Sequence, residues 1–371
     1  MKKPKLTTKG TPMTTFAALA EKVRAGVRID EAEALFLFGY DDFLAVGELA
    51  AEVNERRNGR RVFFNVNRHI NHTNICVNRC RFCAFSRTAD QPGAYLMTLD
   101  EVRGRAEEAF SQGATEIHVV GGLHPELPFE FYLELLETIR SVSPTLHIKA
   151  FTAVEIAYLA DLAQLSIPET LERLKQAGLG SLPGGGAEIF APEVRNQLCP
   201  EKISGIAWLD IMEQVHASGL KSNATMLYGH LESVADRVDH MRQLRELQDR
   251  TGGFQVFIPL AFQPEHSELK IPGAGTGGVD DLRTLAVARI YLDNFANIKA
   301  YWVMLGEKIA QVSLAFGVND LDGTVVEERI GHEAGADTPQ TMSRDDIVSM
   351  IAKAGRVPVE RDTLYRELRV Y

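Results

Sequence analysis

Cysteine is scarce. The chain has 4 in 371 residues, too few for a disulfide scaffold. Three of them, Cys76, Cys80 and Cys83, crowd into one short stretch. Reduced thiols available to a metal are the simplest account, and they predict a cytoplasmic protein. Positive charge is also short. Lys and Arg number 40 against 50 Asp and Glu, leaving −10 at pH 7, which argues against nucleic acid as a partner. An anionic substrate therefore needs a local basic pocket. Long apolar runs are missing too. None approaches the ~18 residues of a spanning helix, so no membrane span is expected. The opening MKKPKLTTKGTPMTT has the charges of a signal segment but no apolar stretch after them, and reads as a frayed tail.

What is present is ordinary globular sequence, 45% hydrophobic and 24% charged with 15 prolines. From about residue 60 to 330, short apolar runs alternate with amphipathic helical stretches. Eight runs read as strands: 65–74, 116–120, 146–151, 180–183, 220–226, 255–259, 298–304 and 321–325. Helix starts are marked by the capping box Thr98-Leu-Asp-Glu101 and by Pro168 after Ser166, and stops by Gly113, Gly178 and Gly219. Eight βα units over about 270 residues predict an α/β fold, a (β/α)8 TIM-type barrel at 61–330. Residues 1–60 read as a tail and helical extension, and 331–371 as a C-terminal helix and tail. A doubly wound sheet is the alternative.

The cysteine loop reads Cys76-Val-Asn-Arg-Cys80-Arg-Phe-Cys83. Such spacings suit zinc or iron–sulfur. A closed zinc site needs a fourth ligand, from Cys199, His69 or His72; Cys199 reads better as a buried small hydrophobe. An incomplete ligand set makes chemical sense if one metal position must stay open to bind and activate a substrate. The loop follows the first barrel strand, on the face where barrel catalysis gathers. With Phe82 before the last cysteine, the spacing resembles the radical-SAM superfamily motif. That resemblance implies a 4Fe–4S cluster on Cys76, Cys80 and Cys83, S-adenosylmethionine (SAM) on the open iron, Phe82 near adenine, and a 5′-deoxyadenosyl radical as the product of SAM cleavage.

Other strand ends carry candidates. Gly121-Gly122 allows close backbone approach. The superfamily resemblance implies backbone contacts to SAM there, although Leu123 stands where the superfamily carries an acid. Ser181-Leu-Pro-Gly-Gly-Gly-Ala-Glu188 suggests backbone pressed on a ligand through Gly184 and Gly185, with Glu188 accepting from a ribose or an ammonium. Cations placed by position at the barrel mouth are Arg68, His69, Lys149 and His230, with Tyr228 as an aromatic neighbour. Glu155, Glu188 and His230 are the proton-transfer candidates. His118 and His147 lie within strands and read as core histidines.

Taken together, several stretches resemble the aminofutalosine synthase family of radical-SAM enzymes, of the futalosine route to menaquinone. They include Asn67-Arg-His-Ile-Asn71, Ile117-His-Val-Val-Gly-Gly-Leu-His-Pro125, Lys149-Ala-Phe-Thr-Ala-Val-Glu-Ile156, Leu182-Pro-Gly-Gly-Gly-Ala-Glu-Ile-Phe190, Ala224-Thr-Met-Leu-Tyr-Gly-His230 and Ala300-Tyr-Trp-Val-Met-Leu-Gly306. The resemblance implies a transferase that adds the adenosyl radical to 3-[(1-carboxyvinyl)oxy]benzoate. Rearrangement and loss of bicarbonate then give 6-amino-6-deoxyfutalosine and methionine. SAM is consumed as co-substrate, and a reductant such as flavodoxin or ferredoxin supplies the electron. Alternatives are the cyclic dehypoxanthine futalosine synthase of the same pathway and a non-catalytic zinc or iron–sulfur protein.

Overall fold

Capping residues mark where many of the helices begin. Thr98, Thr152, Ser166 and Ser233 each accept from the backbone three residues on, and Glu101, Glu155, Glu169 and Asp236 reach back to complete four capping boxes. Apolar residues at helical spacing then select the buried face. In the helix Phe129–Val142, Tyr132, Leu135, Leu136 and Ile139 point inward. Each such buried side chain contributes roughly 1.5–3 kcal/mol. A computed structural model describes residues 15–271 and 273–371. The stretch read as a frayed tail, 1–14, lies outside the described residues.

Strands β1 Arg61–Asn65, β2 Asn67–Ile70, β3 Glu116–Val119, β4 His147–Ala150, β5 Ser181–Leu182, β6 Lys221–Tyr228, β7 Phe254–Ala261, β8 Asn297–Ile298, β9 Asp320–Gly323, β10 Val357–Arg361 and β11 Glu367–Val370 follow in chain order. Strands β2 to β8 form one parallel sheet of seven, in sequence order. Sequential order excludes the doubly wound alternative, which needs a reversal of strand order. The segment from Asp320 to Val326 spans the gap between the sheet's edges. Ala300 N donates to Asp320 O at 2.9 Å on one side, and His69 N donates to Val326 O at 3.0 Å on the other. The architecture is thus a TIM-type barrel of seven strands, with an irregular eighth segment in the closing position.

Two expectations about strands need correction. The run read as one first strand, 65–74, breaks after Asn65. Its front part belongs with β1, which leaves the barrel for a second sheet ordered β11-β10-β1-β9. The run read as 298–304 stops after Ile298, and Trp302–Leu305 is a helical turn. Beyond the helix Arg344–Lys353, the stretch read as a tail contributes β10 and β11. It also closes the barrel's N-terminal end. Arg361 donates to Asp320 Oδ2 at 2.6 and 2.9 Å, and Thr363 Oγ1 donates to Glu116 Oε2 at 2.8 Å.

The N-terminal helices Glu31–Gly39 and Phe43–Asn58 pack outside, against the helices Val234–Thr251 and Gly278–Tyr291, and Phe16–Arg24 packs on Phe43–Asn58. Among the described residues no helix is long and apolar enough to cross a membrane.

Candidate active site

A cavity of about 310 Å³ opens at the C-terminal ends of the barrel strands, where barrels of this kind place their ligands. Loops that follow the strands wall it. Side chains from the strands themselves make its floor.

The cysteine loop forms one wall, and Cys76, Cys80 and Cys83 all line the cavity. Backbone bonds pin it: Cys76 N donates to Arg87 O at 3.0 Å, Val77 N to Leu123 O at 2.9 Å, and Arg81 N to Leu198 O at 2.9 Å. Burial pushes the Cys80 thiol up to about 12 and raises Cys83, with Lys202 pulling the other way. A coordinated metal overrides that penalty, because ligating thiols are held as thiolates. Among the described residues, no three His, Cys, Asp or Glu side chains converge tightly enough for a single ion. Three cysteines on one cavity wall suit a cluster that takes one thiolate per iron and keeps one iron open. Cys199 is 1% exposed and does not line the cavity. His72 is fully buried, with both ring nitrogens unpartnered.

The adjoining glycine turn is tight. A Cβ on Gly122 would strike the Ile75 carbonyl, and one on Gly121 the His72 ring. Their N–H groups are used within the protein: Gly121 N donates to Glu155 Oε1 at 3.1 Å and Gly122 N to Thr73 O at 2.8 Å. Any contact from this turn to a ligand must therefore come from carbonyl oxygens, which suit an ammonium group. Gly185 lines the cavity; Gly184 does not, and its carbonyl accepts from Thr225 Oγ1 at 2.8 Å. Glu188 sits in the left-handed region at φ 48°. Lys202 Nζ donates to Glu188 Oε1 at 2.6 Å and lies 5.1 Å from the centre of the Phe82 ring.

Glu155 is held by Thr152 N, which donates to Oε2 at 2.7 Å, as well as by Gly121. Burial still pushes its carboxyl up to about 7 from 4.5, against those hydrogen bonds. The folded protein therefore binds this proton more tightly than the unfolded chain. The contribution to stability is complete below pH 4.5 and is lost as pH rises through about 7. The loss amounts to about 3 kcal/mol. In Glu155→Gln, melting of the cluster-free protein is expected to fall less steeply than wild type over this interval. Parallel melting curves would reject the shift.

The floor comes from three adjacent strands in register: His69 of β2, His118 of β3 and Lys149 of β4. The His69 and His118 imidazoles lie 4.3 Å apart between centres, tilted by 31°. Lys149 Nζ donates to Glu116 Oε2 at 2.7 Å. Burial works against ionised Glu116, but Lys149 and its other cationic neighbours hold the carboxyl well below its usual range. Across the barrel, Lys299 Nζ donates to Asp322 Oδ1 at 2.7 Å.

The sequence-derived candidates divide. Cys76, Cys80, Cys83, Phe82, Gly121, Gly122, Gly185, Glu155, Glu188, His69 and Lys149 all line the cavity. Gly184, Arg68, Tyr228 and His230 do not. Arg68 faces the helix layer, paired with Glu108 at 2.6 Å and Glu327 at 3.0 Å. Tyr228 Oη donates to Asp281 Oδ1 at 2.7 Å on the outer face of β6. His230 turns onto Glu232 at 2.9 Å. His147 is satisfied by Ser181 at 2.8 Å, as a core histidine should be. His118, read the same way, instead lines the cavity. Lys202, Lys299, Asp322, Tyr301 and Glu328 also line it and were not singled out from sequence. The register with His69 and Lys149 was a signal for His118; nothing local marks Lys202.

The radical SAM superfamily model matches residues 70–244, and a model of the CofH/MqnC C-terminal region matches 251–370. The aminodeoxyfutalosine synthase of Thermus thermophilus is 47% identical over 95% of this chain and 96% of its own length. That of Streptomyces coelicolor is 42% identical over 95% and 94%. The 5-amino-6-(D-ribitylamino)uracil–L-tyrosine 4-hydroxyphenyl transferase of Methanopyrus kandleri is 46% identical over 92% and 94%. Among solved structures, the FeFe-hydrogenase maturase HydG from Carboxydothermus hydrogenoformans superposes with a TM-score of 0.74 at 19% identity, covering 94% of this chain and 80% of that one. Methylornithine synthase superposes at 0.69 and 16%, covering 91% and 95%. At these identities the structural likeness speaks for the fold alone.

Proposed function

The chain belongs to the radical SAM superfamily, in the family shared by those aminodeoxyfutalosine synthases and 4-hydroxyphenyl transferases, and from that premise we propose that it makes 6-amino-6-deoxyfutalosine. The reaction joins the 5′-deoxyadenosyl group of SAM to 3-[(1-carboxyvinyl)oxy]benzoate, with rearrangement and loss of bicarbonate, and releases methionine. A 4Fe–4S cluster on Cys76, Cys80 and Cys83 supplies, together with SAM, the adenosyl radical. The enzyme works in the cytoplasm and takes its electron from flavodoxin or ferredoxin.

The chain's own groups have separable tasks. The Gly121 and Gly122 carbonyls receive the ammonium group of SAM. Gly185 and Glu188 border the nucleoside, with Lys202 fixing the Glu188 carboxylate at 2.6 Å. Glu155, with its carboxyl near pH 7, holds or releases a proton at neutral pH. The enclosed walls exclude water and hold the partners in a near-attack arrangement, which a radical addition needs to avoid stray hydrogen abstraction.

The observation that carries this reading is 47% identity to a named synthase over 95% of the chain, joined to the motifs at the strand ends. A second reading is supported by the 46% identity to a hydroxyphenyl transferase. The test is anaerobic incubation of the reconstituted protein with SAM, reductant and the enolpyruvyl benzoate, followed by mass spectrometry. An adenosyl adduct with bicarbonate release is expected. Product formed only from L-tyrosine and 5-amino-6-(D-ribitylamino)uracil would move the chain to the second reading. Free 5′-deoxyadenosine without adduct, in step with substrate consumed, would point to a hydrogen-abstracting relative such as the cyclase.

A further inference from the structure

The barrel floor holds more hydrogen-bond donors than the protein uses. An ammonium group has three N–H donors. Lys149 and Lys299 each spend one, on Glu116 and Asp322. Asp320 lies 3.7 Å from Lys299 Nζ, beyond hydrogen-bond reach. His69 is 5% exposed and its Nε2 has no partner. The His118 ring makes no hydrogen bond among the described residues. Lys149, Lys299, His69 and His118 all line the cavity. Donors left unmatched in a buried site are costly, and an acceptor-only group would satisfy several at once.

We propose that His69, His118, Lys149 and Lys299 form a subsite for an aromatic carboxylate at the bottom of the barrel. The inference rests on the substrate named above and orients it. His69, His118 and Lys149 lie within strands and Lys299 directly follows β8, whereas the cysteine loop begins beyond β2, so the two are separated along the barrel axis. The enolpyruvyl carboxylate is attached to the reacting vinyl group and must stay near the cysteine loop. The benzoate carboxylate sits on the ring, meta to the ether oxygen, and reaches the floor. Lys149 and Lys299 are held by their acid partners before any ligand arrives, so the floor is preorganised. Those pairs leave little net charge. Attraction therefore comes from charge-assisted hydrogen bonds in a dry cavity, not from a positive patch.

The test uses the reconstituted holoenzyme and two calorimetric probes, 3-hydroxybenzoate and 3-hydroxybenzamide. Wild type is expected to bind the benzoate roughly 100-fold tighter. The paired variant Lys299→Met/Asp322→Asn removes the cation and its partner together, leaving no lone buried charge. Its preference is expected to shrink to within about threefold. His118→Phe breaks no internal hydrogen bond and serves if the paired variant fails to load its cluster; it should cut the preference roughly 10-fold. Equal affinity of wild type for both probes overturns the subsite, as does an unchanged preference in the variants. Turnover separates this from the functional reading. A wild type that discriminates the probes yet forms no adenosyl adduct keeps the subsite and loses the reading. One that forms the adduct without discriminating loses the subsite alone.

Discussion

Cys76→Ser, Cys80→Ser and Cys83→Ser are each expected to abolish both bound iron and adenosylated product, while Cys199→Ala keeps both within about twofold of wild type. The contrast follows from position. The first three cysteines line the cavity, and Cys199 is buried outside it. Burial raises the Cys80 and Cys83 thiols, so without metal these residues are protonated and inert, and only coordination makes them thiolates. Losing one ligand exposes an iron whose site cannot be filled by another thiolate, because no fourth cysteine lines the cavity. Cys199→Ala removes only a small buried group and costs about 1 kcal/mol. Iron analysis and the visible absorbance of the anaerobically reconstituted variants check the first half, and product by mass spectrometry the second. Iron retained in Cys80→Ser, or lost in Cys199→Ala, would mean the ligand set is misassigned.

The second large effect lies at the other end of the barrel. Arg361→Leu is expected to cost about 3–5 kcal/mol, because it strands Asp320 as a buried carboxylate without its principal partner. Both side chains are at most 1% exposed, and the guanidinium reaches Asp320 at 2.6 Å. Lys299 remains near but at 3.7 Å. The double variant Arg361→Leu/Asp320→Asn should recover most of the loss, since it removes the charge and keeps an acceptor for Asp322 N at 2.7 Å. Denaturant unfolding of the three proteins measures the effect. An Arg361→Leu protein within about 1 kcal/mol of wild type would show that the pair contributes little net stability.

Much of the barrel was legible because its signals are local. Capping boxes, glycine stops and short apolar runs locate helices and strands within a few residues of one another. The second sheet was not, because its pairing is distant: Arg61 aligns with Val357 across most of the chain. Pro358 within β10 also argues against a strand from sequence alone. At the site, the errors at Arg68 and Tyr228 share one cause. Side chains alternate across a strand, so a residue beside an inward group points outward. His69 faces the cavity and therefore Arg68 meets Glu108 in the helix layer. Leu227 faces in and Tyr228 out. Proximity to a strand end selected these residues, and parity decides between them. Parity also recovers His118, which shares a level with His69 and Lys149.

The placement of Arg361 and Thr363 beneath the barrel has a consequence for how the protein is made. These residues are synthesised late, long after the cysteine loop has left the ribosome. A nascent chain that already carries Cys76, Cys80 and Cys83 still lacks the partners of Asp320 and a donor to Glu116. Long-range pairing of this kind is slow and comes late in folding. The bonds that close the base of the barrel therefore cannot form until Arg361 and Thr363 have left the ribosome.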